Sequence, residues 1–170
     1  MARSVLLAIP VAAALLAGCG GDSDSSDAPP ARAATTVSST PAARAPSRAA
    51  RPGARVTVRR SRYGRMLFDG KGRALYLFTH DRGRTSRCYG ACARAWPPFY
   101  TDGRPLGRAG VDQRLLGTTR RAGGRLQVTY RGRPLYYYVT DTAPGQVTCQ
   151  NVSEYGGLWL VVAPSGRAIH

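Results

Sequence analysis

A chain that carries the same short segment twice, sixty residues apart, is constrained to build one structure from two related units. Displaced by 60, Gly72-Arg73-Ala74-Leu75-Tyr76-Leu77-Phe78-Thr79-His80-Asp81 falls on Gly132-Arg133-Pro134-Leu135-Tyr136-Tyr137-Tyr138-Val139-Thr140-Asp141, and six of the ten columns are identical or aromatic for aromatic. The match continues more loosely, because Asp81 is followed by Cys88 and Trp96, while Asp141 is followed by Cys149 and Trp159. Two copies are too few for a solenoid, so the units are expected to pair face to face.

Each unit reads as a hairpin, since β-branched and aromatic residues alternate on both sides of a glycine-bearing turn. The turns are Asp69-Gly70-Lys71-Gly72 and Tyr130-Arg131-Gly132-Arg133. In the first returning strand Leu75 and Leu77 point one way and Tyr76 and Phe78 the other; in the second, Leu135, Tyr137 and Val139 oppose Tyr136 and Tyr138. Further strands are predicted at Val56 to Val58, Thr118 to Arg121, Arg125 to Tyr130 and Leu158 to Val162, with a turn at Gly123-Gly124. The one helical signal is a single turn from Asp112 to Leu116, with Asp112 as N-cap and Gly117 as a left-handed stop. The expected fold is all-β: a small domain of two repeated antiparallel hairpin units with little helix.

That domain has a visible start. All fourteen aromatic residues lie at or beyond Tyr63, and no Leu, Ile or Met stands between Cys19 and Met66, so the chain before about Arg55 has nothing with which to form a core. Three segments follow: residues 1–18 as a signal peptide, 19–54 as a lipid-acceptor cysteine with a disordered linker, and 55–170 as the repeat domain. Arg3 begins the leader, and Val5 through Leu16 is apolar but too short for the roughly 20 helical residues that span a bilayer. It ends in Leu16-Ala17-Gly18-Cys19, which resembles the lipobox of bacterial lipoproteins and implies a diacylglycerol thioether on Cys19 after cleavage before it. The Ala, Pro, Ser, Thr and Arg mixture that follows is a flexible tether, reaching roughly 30 to 35 Å for its length. The expected location is the cell envelope, on the extracytoplasmic face of the membrane, held by the lipid.

The repeated Tyr-x-aromatic-x-x-Asp element, Tyr76-x-Phe78-x-x-Asp81 and Tyr136-x-Tyr138-x-x-Asp141, resembles the bacterial secreted-repeat lipoproteins with a Y-x4-D motif. Cys88 and Cys92 before Trp96-Pro97-Pro98, Gly117-Thr118 before the second hairpin, and Gly156-Gly157-Leu158-Trp159 near the end match further landmarks of that family. The likeness spans about residues 63 to 166. It implies no assigned reaction, and it favours a disulfide between Cys88 and Cys92. Cys149 departs from the family's pattern, and by position in its repeat it is also a candidate partner for either of them.

Tyr76, Phe78, Asp81, Tyr136, Tyr138 and Asp141 are the candidate site residues. Each Asp opens a polar, glycine-containing segment in which its side chain is expected to bond its own backbone two residues on. Each Tyr sits where a buried hydroxyl needs one partner. The first reading is a clamp between hairpin and turn; the second is a ligand or metal held by the two Tyr/Asp pairs. Cys88, Cys92 and Cys149 with His80 would make a soft donor set for zinc or copper, so a metal-binding or redox accessory protein is the alternative function, although the spacing is not that of a known metal motif. No catalytic constellation is present: no Gly-x-Ser-x-Gly, no His-Glu-x-x-His, no phosphate-cradling glycine loop. The expectation is a non-enzymatic binding or structural module without cofactor.

Charge bears on the partner. Residues 56 to 170 hold 19 Arg and Lys against six acids, and Lys71 is the chain's only lysine. The arginine excess is what a GC-rich coding bias produces, but the field it generates favours an anionic envelope polymer or lipid. The basic residues are scattered across turns without interleaved stacking aromatics, so nucleic acid is not expected.

Overall fold

The computed structural model of the chain describes residues 51–170. The predicted signal peptide, Cys19 and nearly all of the tether lie outside the described residues. The first backbone tie to the domain is the Ala54 amide, which donates to Thr101 Oγ1 at 2.9 Å.

The first unit begins with β1 (Arg55–Ser61) and β2 (Gly64–Asp69), an antiparallel hairpin that inserts Val56 and Val58 on one side and Met66 and Phe68 on the other. At its end Asp69 Oδ1 accepts from the amides of Lys71 and Arg73, both at 2.8 Å, fixing the turn into β3 (Tyr76–Phe78). After a polar loop come the short helix α1 (Ala91–Ala95), then β4 (Tyr100–Thr101) and β5 (Leu106–Gly107). The second unit repeats the hairpin as β6 (Leu116–Arg120) and β7 (Leu126–Tyr130), turns into β8 (Arg133–Pro134), and ends with β9 (Val152–Glu154) and β10 (Gly157–Val161). Strands order as β2-β1-β5, β3-β10-β9 and β4-β7-β6 with β8 on β7; every pairing is antiparallel except β1 with β5.

The units meet by exchange rather than by apposing two finished faces. Tyr76 and Tyr136 form a two-way backbone bridge, each amide donating to the other's carbonyl at 2.9 Å, so an approximate two-fold axis passes between the motif tyrosines. Across that axis each unit sends a strand that follows its motif into its neighbour. Strand β10 pairs with β3, Trp159 opposite Phe78 and Val161 opposite Tyr76, while Val162 O accepts the Leu67 amide at 2.9 Å. Symmetrically, Pro98 bridges Tyr136 and Phe99 O accepts the Val128 amide at 2.8 Å. The exchange caps strand edges that two separate hairpins would leave unpaired.

The returning strands are therefore covered on both faces. Tyr76, Phe78 and Tyr136 enter one core with Trp96 and Trp159; Leu75, Leu77 and Leu135 enter the other with Leu160 and Val162. The predicted alternation holds except at Val139, which is 49% exposed because the chain has already left the strand for a turn in which the Asp141 amide reaches Tyr138 O at 3.2 Å. The predicted helical turn is a 3-10 turn at Gln113–Leu115 with Asp112 Oδ1 accepting the Arg114 amide, as a cap should. Gly117 does not stop it in a left-handed conformation; it lies extended in β6 opposite Thr129. Helix α1 was not expected. Ala91, Ala93 and Ala95 are strong helix formers, but five residues give no readable period.

Candidate functional site

The six motif residues converge at the pseudo-two-fold axis, and the Tyr/Asp pairs are exchanged between units. Tyr76 Oη donates to Asp141 Oδ2 at 2.5 Å, and Tyr136 Oη donates to Asp81 Oδ2 at 2.8 Å. The other carboxylate oxygen of each Asp ties down its own polar loop farther on than two residues: Asp81 Oδ1 accepts the Arg87 amide at 2.8 Å, and Asp141 Oδ1 accepts the amide and hydroxyl of Thr148 at 3.0 and 2.6 Å. Each Asp thus joins the loop of one unit to the strand of the other, and the spacing of the motif sets both reaches.

The aromatic two residues after each Tyr has its own place. Phe78, Trp159, Trp96 and Tyr138 form one column drawn alternately from the two units, with centroid spacings of 4.1, 4.0 and 4.5 Å, the first two pairs parallel within 5°. Tyr76 and Tyr136 meet the faces of Trp96 and Trp159 edge-on, both at 5.2 Å. Such offset and edge contacts add about 0.5–1.5 kcal/mol each beyond area burial. The column is asymmetric at its polar atoms: Trp96 Nε1 donates to Glu154 at 2.9 Å, whereas Trp159 Nε1, wholly buried, meets no partner among the described residues.

The half around Tyr136 carries residues that the motif alone does not reveal. Ser86 Oγ lies 2.7 Å from Tyr136 Oη and accepts from Arg121 Nη1 at 2.5 Å. Arg121, buried, also reaches Gln127 Oε1 at 2.8 Å and the Cys88 carbonyl. Only the neighbourhood of the second hairpin's turn hinted at Arg121, and an arginine among twenty-four gives no signal by itself.

Charge is held quiet here. Burial, then the adjoining Asp141, pushes the Tyr76 phenol far above the ordinary tyrosine range; burial and Asp81 do the same to Tyr136. Both stay protonated donors. Burial raises Asp81 as well, partly offset by the Arg87 amide, Tyr136 and the charges of Arg121 and Arg133.

Cys88 and Cys92 are joined in a disulfide that brackets the entry to α1, with Gly90 between them in a left-handed conformation. Cys149 is free and buried, and its thiol is raised first by burial. The donor set imagined for zinc or copper is therefore not assembled: two of its three sulfurs are in the bridge, His80 is an exposed residue beside Gly156, and no group of three His, Cys, Asp or Glu among the described residues is placed to hold a metal. As built, the motif fastens the two units together, with every carboxylate oxygen of Asp81 and Asp141 occupied by an internal donor.

An exchanged, two-unit β domain of this kind, marked by paired Tyr-x-aromatic-x-x-Asp elements, is a two-copy repeat domain. The family described as a secreted repeat of unknown function matches residues 57–100 and 117–163, one stretch in each unit, and the chain belongs to that family. The family places the protein among those acting outside the cytoplasm and assigns it no reaction. No curated protein and no solved structure matches the chain.

Proposed function

We propose that the protein is a non-enzymatic module of the bacterial cell envelope, lipid-anchored through Cys19, that binds an anionic envelope polymer or lipid by its charge. One observation carries the reading of the partner: four of the domain's six carboxylates are turned to internal work, while all but one of its guanidiniums lack an ion pair among the described residues. Asp69, Asp81, Asp141 and Glu154 accept from internal amide, phenol, hydroxyl or indole donors. The single ion pair among the described residues is Arg114 with Asp112, at the surface. Arg62, Arg73, Arg121 and Arg125 lie over tyrosine rings instead of against acids. An uncompensated field of this sign raises the local concentration of anions and is screened by salt.

Anchoring supports the same reading. A lipid with two acyl chains holds stably where one is marginal, and the tether's composition lets the domain reach polymer beyond the headgroups. The test is sedimentation of the mature protein with purified envelope fractions over a salt series, with mass spectrometry of residue 19. Binding that falls steeply with salt, and an acylated Cys19 whose replacement by alanine releases the protein from the membrane pellet, are expected. Salt-indifferent binding, or an unmodified residue 19, overturns the corresponding half.

A further inference from the structure

The two-fold repeat separates what the fold requires from what it leaves over. Arg73 and Arg133 occupy the same place in the two units. Arg73 is committed to the fold: Nε donates to Asp141 O at 3.2 Å, Nη2 to Tyr138 O at 3.3 Å, and its plane lies 4.1 Å over the Tyr137 ring. Arg133 forms none of the equivalent bonds. Among the described residues its guanidinium has neither a hydrogen bond nor an ion pair, and it lines, with Arg131, Arg167 and His170, a cleft of about 480 Å³ to which no acidic side chain contributes.

The cleft is built, not a chance meeting of long side chains. Arg131 has φ 49° at the head of the two-residue turn Arg131-Gly132, where the left-handed backbone favours Asn or Gly and a long side chain is strained. Its counterpart Lys71 is not in that region. Gly166, buried with φ +80°, lies so close that a Cβ there would fall 2.6 Å from Arg131 Cβ. The bare glycine lets the Arg131 stem lie along the loop, and Nη1 then donates to Ser165 O at 3.0 Å. Strain held in place by its surroundings points from geometry to use.

We propose that this cleft binds phosphate, as the free dianion or as a terminal phosphomonoester. Guanidinium forks match the oxygens of a tetrahedral oxyanion, and three of them, one offset by the terminal carboxylate of His170, suit a charge near −2 spread over three oxygens. A planar, singly charged carboxylate would leave half of that charge unpaired and one oxygen position unfilled. The inference deepens the reading of an anionic envelope partner and rests on it only for biological context.

The test is NMR titration of the mature protein with inorganic phosphate, against acetate at equal ionic strength, for wild type and the R133Q/R167Q variant, whose spectrum and melting point report its fold. Saturable shifts confined to residues 131–133 and 165–170, absent with acetate and at least tenfold weaker in the variant, are expected. Displacement by glycerol phosphate at equal or lower concentration would assign the cleft to esterified phosphate, and failure to displace to the free ion. Shifts spread over all the arginine-bearing faces, equal shifts with acetate, or an unaffected variant overturn the site. Salt-sensitive envelope binding without phosphate shifts overturns the site and leaves the broader reading intact; phosphate shifts without envelope binding do the reverse.

Discussion

At the level of single residues, the Tyr76–Asp141 contact sets a buried phenol against a buried carboxylate at 2.5 Å. Asp141 is 1% exposed, and a buried carboxylate is tolerated only while its donors remain. Tyr76→Phe removes one donor and leaves the two from Thr148, so a loss of about 1.5 kcal/mol is expected. Asp141→Ala instead orphans Tyr76 and Thr148 together and should cost about 3 kcal/mol or more in urea denaturation. Equal effects of the two changes would remove the clamp from the account. Asp81 makes a pH prediction of definite sign. Its folded carboxyl titrates above the ordinary range, chiefly through burial, so folded Asp81 binds a proton where the unfolded chain has released it. That contribution to stability is complete below the ordinary carboxylate range and is lost as pH rises through the raised folded value. Asp112, lowered by its bond to Arg114, runs the other way, contributing above the ordinary range and losing it on acidification. Urea midpoints compared between wild type and Asp81→Asn isolate the first effect: the wild type should gain on the variant as pH falls from neutrality toward 4, and parallel curves would contradict it.

Among the elements, the bridge Cys88–Cys92 and the approach of β10 to β3 each give a measurable consequence. The bridge closes a ring of only a few residues, for which chain entropy alone gives about 2 kcal/mol, and replacing both cysteines by alanine should lower stability by about that amount. Cys149, buried and raised, should stay unreactive to thiol reagents in the native domain and become titratable on unfolding. Gly157 opens β10 where a Cβ would stand 2.8 Å from the Phe78 ring and 2.9 Å from the His80 amide nitrogen. Gly157→Ala must therefore push on the aromatic column, at about 1–3 kcal/mol, with a change in the near-ultraviolet circular dichroism of the stacked tryptophans. An unaltered spectrum would mean that the strand shifts without disturbing the column. These elements also mark how far the residues alone could be read. Strands, turns and the split of Leu75 and Leu77 from Tyr76 and Phe78 follow from period-two alternation, a local property. Exchange of strands between the units is not local: nothing in Pro97-Pro98-Phe99 says which unit's hairpin it will join. The motif residues were legible as a set because they repeat, while their partners were not, because Tyr76 meets Asp141 rather than the Asp81 five residues along. Ser86 and Arg121 carried no repeat and no spacing, so their burial together could only be seen in three dimensions.

For the whole molecule, exchange makes the two units one cooperative body. Residues 51–110 and 111–170 each contain a hairpin, a returning strand and one Tyr/Asp motif, so each has the local pattern of a folded unit. Each lacks what its neighbour supplies: the strand that covers its edge, the Asp that receives its Tyr, and every second ring of the aromatic column. A chain of about 60 residues is already marginal with its core complete, and with two edges open and buried aromatics uncovered it falls below what conformational entropy demands. Each half alone should therefore be unfolded at micromolar concentration, without near-ultraviolet dichroism or a cooperative melt. Mixed in equal amounts, the halves should regain both signals, with a midpoint that rises with concentration as mass action requires. The exchanged geometry predicts further that Tyr76→Phe in the first half and Asp141→Ala in the second are coupled, so that the mixture carrying both loses less than the separate losses together. A half that melts cooperatively as a monomer would show the repeats to be self-sufficient hairpins joined by chance contact, and additive losses would show the same of the clamp.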